Sequence, residues 1–130
     1  LCPALHARIG NAKGARYVES QYRQNIGSWH SLDTVVSWQL VAVPAGRYRV
    51  TVRQSLVAPA ADGEFAVSIG AATVQAKTKV TGDWRKYADV DVGMAEVKKG
   101  GDCNVSIRGR RLSGGRCLMN LHSLRLTPVR

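Results

Sequence analysis

The chain has 130 residues, with 19 lysines and arginines against 9 acidic residues and a formal net charge of +10. A chain of this length forms one domain with a substantial core, and no apolar run approaches the roughly 20 residues of a membrane-spanning helix. No signal peptide is visible in the sequence, and we interpret the chain as a trimmed mature protein or a module of a larger one. The basic excess favours an anionic partner: a nucleic acid, a sulfated or uronic glycan, or a lipid surface.

The first third of the chain predicts little regular structure. Residues 1–14 are expected to be irregular, because glycines and an asparagine interrupt any periodic pattern. A short strand is predicted over 15–18, and a polar connection over 19–30.

The strongest pattern lies between residues 35 and 53, where two alternating strands meet at Pro44-Ala45-Gly46. Proline cannot donate to the ladder and glycine allows positive φ, so the chain turns there. Alternation with β-branched residues predicts a sheet with one buried and one wet face. One face of the second strand carries Tyr48, Val50 and Val52, and the other carries Arg47, Arg49, Thr51 and Arg53.

From residue 35 onward, short strands are expected at regular intervals: 35–43, 47–56, 64–69, 73–80, 84–92, 103–108 and 118–126. Between them we expect a loop over 57–63, turns at 81–83 and 98–102, and a glycine-rich loop over 112–116. Eight or nine short strands and no convincing helix predict a single antiparallel β-sandwich of jelly-roll type spanning residues 1–130.

The sequence gives little support for catalysis or for a zinc site. His6, His30 and His122 are isolated, no serine stands in a Gly-x-Ser-x-Gly motif, and the glutamates lie on separate segments. We therefore expect no enzymatic activity and no catalytic residue. The three cysteines, Cys2, Cys103 and Cys117, allow at most one disulfide within the chain, and buried thiols are an equal alternative.

The few aromatic residues are the natural candidates for a binding site. Trp38 lies in an alternating strand and is expected in the core. Trp29 and His30 lie in a polar loop, where an indole either caps the end of the sandwich or offers a flat face to a ligand. Sugars stack their C–H faces on such rings, while their hydroxyls need planar hydrogen-bonding partners. Trp84, Tyr87 and Asn120 have the side chains that such a site uses.

The order of these features resembles a galactose-binding-like jelly roll, and in particular the carbohydrate-binding modules of families 6 and 35. It is similar also to the accessory modules of bacterial sulfatases and fucosidases. The resemblance covers residues 15–128 and lies in Ile26-Gly27-Ser28-Trp29, Val36-Ser37-Trp38, Pro44-Ala45-Gly46-Arg47-Tyr48, Thr81-Gly82-Asp83-Trp84, Val97-Lys98-Lys99-Gly100 and Cys117-Leu118-Met119-Asn120.

This resemblance implies a non-catalytic module that binds a glycan through loops at one end of the sandwich. The implied ligand-binding residues are Trp29, Trp84 and Asn120, with His30 beside them and Tyr87 as a substitute for Trp84. It also implies a secreted, periplasmic or extracellular protein tethered to a catalytic domain. Those families often hold structural calcium through acids near the first strand. Ala7, Arg8 and Ile9 stand there in this chain, so we expect no cofactor and regard calcium as doubtful.

Two other functions fit the composition. The domain could pack against a catalytic partner without binding sugar, or it could bind nucleic acid through its charge. The second is disfavoured because no aromatics are interleaved with the basic strands, and no membrane association is expected. A local cluster of cations is formed by Arg108, Arg110, Arg111 and Arg116; a binding role and a simply solvated face are equally good interpretations of it.

Overall fold

The computed structural model describes residues 1–21, 23–57 and 62–129. Within them the chain forms eleven β-strands and one 3₁₀ turn, Ala4–His6, with no α-helix and therefore no helix able to cross a membrane. The strands are β1 (Cys2–Pro3), β2 (Arg8–Gly10), β3 (Arg16–Ser20), β4 (Arg23–Gly27), β5 (Val35–Val43), β6 (Gly46–Ser55), β7 (Glu64–Ile69), β8 (Ala72–Lys77), β9 (Ala88–Val97), β10 (Gly101–Arg111) and β11 (Asn120–Val129).

The strands form two antiparallel sheets that pack face to face. The first sheet has the order β3-β4-β11-β6-β9, with β1 also paired to β11, and the second has the order β2-β5-β10-β7-β8. In the second sheet β10 lies between β5 and β7, two strands that are far from it in sequence. The predicted antiparallel β-sandwich of jelly-roll type is therefore confirmed.

The core fills the space between the two sheets. The inward faces of the alternating strands supply it, as the pattern in β6 shows: Tyr48, Val50 and Val52 are buried, whereas Arg47, Arg49 and Arg53 are exposed. Trp38 is buried as predicted, and its Nε1 donates a hydrogen bond of 2.8 Å to the carbonyl oxygen of Pro3. That bond fixes the amino-terminal segment across the sandwich.

Three parts of the chain differ from the sequence prediction. The first 14 residues are not wholly irregular, because β1 pairs with β11 and β2 pairs with β5. The segment predicted as a polar connection contains β4, which the central strand β11 holds in the sheet. The strand predicted at 84–92 begins instead at Ala88, because turns occupy the residues around Trp84. In the predicted loop over 57–63, residues 58–61 lie outside the described part.

The antiparallel pairing sorts the connections between strands to two ends of the sandwich. The turns β5–β6, β7–β8 and β9–β10 share one end, since Gly101 pairs with Val43 and Gly46 pairs with Val97. The longer connections lie at the other end, where the Leu118 N–H donates to the carbonyl oxygen of Trp29 at 2.8 Å. There the Ser55 hydroxyl donates to the carbonyl oxygen of Trp84 at 2.9 Å. We call this the loop end, and it contains most of the predicted ligand-binding residues.

Candidate functional site

A pocket of about 310 Å³ opens at the loop end, beside strands β3 and β4. Both strands, the connections on either side and the start of β11 contribute to its wall. None of its lining residues is acidic. They are Arg16, Val18, Arg23, Asn25, Gly27, Ser28, Trp29, His30, Trp84, Cys117, Met119 and Asn120.

Four of the five predicted ligand-binding residues line this pocket: Trp29, His30, Trp84 and Asn120. They come from two separate connections and one strand, between residues 29 and 120 in the chain. The fold thus brings together residues that the sequence could only place at the same end of a sandwich. Whether they bind a ligand stays a prediction.

Trp84 is the aromatic side chain suited to contact a ligand in this pocket. It is partly exposed, and the Ser55 hydroxyl fixes its backbone by donating a hydrogen bond to its carbonyl oxygen. The Thr81 hydroxyl donates to the carbonyl oxygen of Asp83 at 3.0 Å, and the Arg85 N–H donates to Oδ1 of Asp83 at 2.8 Å. These bonds order the turn around Trp84, so the ring is presented from a preorganised loop.

Trp29 does not offer a face to a ligand, because its side chain is fully buried beneath the pocket wall. It therefore caps the end of the core, and the stacking role predicted for it does not fit its burial. Its Nε1 has no hydrogen-bonding partner among the described residues. Ser28, immediately before it, has a φ of 57°, an uncommon conformation for a residue with a side chain. This backbone turn directs Trp29 inward and leaves Ser28 exposed.

Asn120 and Asn25 flank a small open floor at Gly27. A Cβ built on Gly27 would lie 3.4 Å from both Oδ1 of Asn120 and Nδ2 of Asn25. The Oδ1 of Asn25 accepts a hydrogen bond of 2.8 Å from the Tyr87 hydroxyl. The Asn120 side chain forms no hydrogen bond within the described part of the chain, so its amide is available to a ligand.

Tyr87, the fifth predicted residue, lies outside the pocket in an adjoining groove of about 200 Å³ with His122, Gln21, Arg23 and Gln24. Its ring packs on His122 with a centroid distance of 4.8 Å and an interplanar angle of 57°. Burial raises the pKa of the Tyr87 hydroxyl, so this group remains a neutral donor to Asn25. Tyr87 thus supports the pocket from behind through Asn25.

His30 is exposed at the pocket rim, where its Nδ1 lies 3.0 Å from the carbonyl oxygen of Arg116. A carbonyl oxygen only accepts, so Nδ1 is the protonated nitrogen in this contact. The neutral imidazole then has Nε2 free as an acceptor for a hydroxyl. Cys117 also lines the wall, and burial raises the pKa of its thiol, which keeps it protonated and weakly reactive.

Arg16 and Arg23 are the site residues that sequence reasoning missed. They lie on β3 and β4, and neither forms an ion pair with a described residue. With no acid in the wall, they give the pocket a positive potential. Arg16 was predicted on a short strand over 15–18 and Arg23 in a polar connection over 19–30, so no periodic pattern marked that these two side chains would converge with Trp84 and Asn120.

The cysteine and metal predictions concern residues that, apart from Cys117, lie elsewhere in the fold. Cys2, Cys103 and Cys117 are all free thiols, and the first two are buried. In the described residues no group of three or more histidines, cysteines and acids is placed to hold a metal ion. Arg8 is exposed on β2 where the resemblance implies calcium-binding acids, so the residues present do not fit a calcium site there.

A second, larger pocket of about 470 Å³ lies at the opposite end of the sandwich, beside the β7–β8 and β9–β10 turns. Small apolar residues dominate its wall, including Ile69, Ala72 and Val97. Lysines and acids both stand around it. It contains no aromatic side chain and none of the predicted ligand-binding residues, so the loop-end pocket is the better candidate.

Comparison with known proteins shows the fold. No protein-family model and no curated protein sequence matches the chain. Among solved structures it is similar to a family 35 carbohydrate-binding module from Clostridium thermocellum, with a TM-score of 0.75, 15% identity, and coverage of 98% of this chain and 96% of that one. It is also similar to the C-terminal family 6 module of a marine laminarinase from Zobellia galactanivorans, with a TM-score of 0.74, 14% identity, and coverage of 97% and 96%.

A third similar structure is an exo-β-1,3-galactanase from Phanerochaete chrysosporium with β-1,3-galactotriose, with a TM-score of 0.74 and 12% identity. The match covers 96% of this chain and 28% of that enzyme. The chain thus has the fold of family 6 and family 35 carbohydrate-binding modules, as its sequence pattern predicted.

Proposed function

We propose that this chain is a non-catalytic carbohydrate-binding module whose loop-end pocket binds a sugar carrying a carboxylate or sulfate group. The observation that carries the proposal is the convergence of Trp84, Asn120, Arg16 and Arg23 in one acid-free pocket. These side chains supply an apolar ring, an amide and two cations. That is the set of groups an acidic sugar requires.

Each group has a distinct role in this proposal. The partly exposed Trp84 ring packs against the C–H face of the sugar. The Asn120 amide, which has no partner in the described part of the chain, exchanges hydrogen bonds with neighbouring hydroxyls. A guanidinium matches a carboxylate or sulfate with two parallel hydrogen bonds, which a lysine does not reproduce. We assign that contact to Arg16 and Arg23.

The similar structures support a module that works beside a catalytic domain. One of them is the C-terminal module of a laminarinase, and another corresponds to 28% of a galactanase chain. We propose the same arrangement here, in a secreted, periplasmic or extracellular enzyme. The module would then hold the enzyme on its substrate and perform no chemistry itself.

Isothermal titration calorimetry with galacturonic acid, glucuronic acid, galactose 6-sulfate and neutral galactose tests the proposed pocket. We expect the acidic sugars to bind more tightly than galactose. We expect R16Q/R23Q to remove that preference. W84A and N120A should each lower the affinity for every sugar at least tenfold. The R47Q/R125Q variant is the matched control, because it removes two exposed arginines from β6 and β11, and neither arginine lines the pocket.

Two results would overturn the proposal. One is that the unmodified protein binds no sugar of a broader glycan array, which would favour a docking domain without its own ligand. The other is that W84A and N120A bind as the unmodified protein does while remaining folded.

A further inference from the structure

Four exposed arginines lie beyond the pocket rim, where β10 ends and the loop before β11 begins. They are Arg108, Arg110, Arg111 and Arg116, which we call the arginine surface. None of them forms an ion pair with a described residue. Like charges this close repel each other and do not stabilise the fold. This cluster of arginines therefore favours binding to a partner of opposite charge.

Glu64 lies opposite Arg111 in the pairing of β7 with β10 but forms no ion pair with it. The acids Asp33 and Asp62, which also lie nearby, are engaged elsewhere. Asp33 lies close enough to Arg108 to be influenced by it, but its carboxylate pairs with Lys13 at 2.9 Å. Asp62 likewise lies near Arg111, and its Oδ1 accepts a hydrogen bond of 2.9 Å from the N–H of Gly114. The guanidinium groups thus remain free to contact anions from solution.

The loop that carries Arg116 is held in one conformation. The Ser113 hydroxyl donates to the carbonyl oxygen of Leu118 at 2.9 Å, and the Ser113 N–H donates to that of Cys117 at 2.6 Å. The Arg116 N–H donates to the carbonyl oxygen of Ser113 at 3.1 Å. A charged side chain on an ordered loop can take part in binding at a lower entropic cost than one on a loose loop.

The arginine surface meets the pocket rim at Arg116. The carbonyl oxygen of Arg116 is the group that accepts from Nδ1 of His30, and His30 lines the rim. A chain with one sugar in the pocket can therefore pass His30 and Arg116 and continue towards Arg111 and Arg110. We propose that this surface contacts the further acidic groups of an anionic polysaccharide whose first sugar occupies the pocket.

This inference rests on the proposed function, since it extends the same ligand beyond the pocket. It assigns the ligand to polymers with a carboxylate or sulfate on most sugars. Because each exposed contact is weak and screened by salt, the surface is expected to act through several contacts together. Affinity should then rise with the number of acidic sugars.

The test compares oligogalacturonates of two, four and eight sugars by calorimetry at two salt concentrations. For the unmodified protein, affinity should increase with length, and the eight-sugar ligand should be the most sensitive to salt. The R110Q/R111Q variant should bind the eight-sugar ligand roughly tenfold more weakly and the two-sugar ligand nearly as well as before. The R47Q/R125Q variant, with the same change in charge on another face, should keep the dependence on length.

The two proposals fail in different ways. If the unmodified protein binds none of these ligands or only the longest, the proposed pocket function is wrong. If R110Q/R111Q keeps the dependence on length, or R47Q/R125Q loses it equally, the arginine surface is wrong. A DNA duplex that competes with the eight-sugar ligand at equal charge would also overturn it and identify a nucleic-acid surface.

Discussion

The hydroxyl of Tyr87 donates a hydrogen bond of 2.8 Å to Oδ1 of Asn25, 62 residues away in the chain. This bond joins the connection before β9 to the strand that forms part of the pocket wall. Asn25 is buried, so the carbonyl oxygen of its side-chain amide needs a hydrogen-bonding partner within the protein. Tyr87 meets that need while its ring packs on His122.

The Y87F variant tests this link. We expect the free energy of unfolding to fall by about 1–2 kcal/mol, because a buried acceptor loses its donor. The affinity of the pocket should fall several-fold as the Asn25 amide becomes free to rotate. Urea denaturation and calorimetry measure the two effects. The Y48F variant is the control, since Tyr48 donates an equivalent bond of 2.6 Å to the carbonyl oxygen of Pro44 at the opposite end.

The contrast between the two variants is the decisive result. Y48F should lose stability and keep its affinity for sugar. If Y87F also keeps its full affinity, Tyr87 stabilises the fold without positioning the pocket.

The two tryptophans of the pocket should respond differently to truncation. Trp29 is fully buried, so W29A is expected to cost about 3–5 kcal/mol of stability through lost contacts and a cavity. Trp84 is partly exposed, and W84A should cost much less. Urea denaturation of both variants tests this difference. Equal losses of stability in W29A and W84A would show that the Trp29 side chain is not more buried than that of Trp84 in solution.

This difference between Trp29 and Trp84 could not be predicted from the sequence. Both residues follow a glycine in a polar loop, with Ser28 or Asp83 directly before the indole. The left-handed backbone at Ser28 turns one ring into the core, and the Asp83 turn leaves the other at the surface. No pattern of residue types distinguishes these two outcomes.

The strands were more predictable than the site. Alternation in β5, β6 and β10 follows directly from one buried and one wet face. The short β4 carries no such alternation and is held by its pairing with β11, a distant segment. Because Arg23 and Asn25 lie on β4, the part of the pocket that depends on this pairing was missed.

A methyl group at Gly63 should destabilise the loop end. A Cβ there would lie 2.1 Å from Oγ of Ser113 and 2.7 Å from Oγ1 of Thr78, two hydroxyls that are hydrogen-bonded to each other at 3.0 Å. G63A must displace this buried pair, so we expect a loss of about 2 kcal/mol or more. Thermal and urea denaturation measure it.

The control for that variant is G10A, whose new Cβ would meet only the carbonyl oxygen of Val35 at 3.7 Å. G10A should change stability little. A G63A protein as stable as G10A would show that the Thr78–Ser113 pair moves aside easily and does not lock the loop that carries Arg116.

Stability should depend on pH through His122, half-buried between Tyr87 and the outer face of the sheet. Burial lowers the pKa of its imidazole from 6.5, the nearby Arg53 lowers it further, and Asp89 partly offsets both. Arg23 lies in the same groove. The folded protein therefore binds this proton less readily than the unfolded chain. The free energy of unfolding should rise with pH up to about 6.5 and then level off.

The H122Q variant isolates this contribution. The pKa values of Asp33, Asp62 and Asp83 are lowered from 3.8 by their hydrogen bonds, so the stability that they provide is lost only as the pH falls through the acid range below His122. Urea denaturation of both proteins between pH 5 and 8 should therefore show a decline below pH 6.5 in the unmodified protein and a flatter profile in H122Q. Parallel profiles would show that protonated His122 is accommodated without cost, because Asp89 then compensates fully for burial and for Arg53.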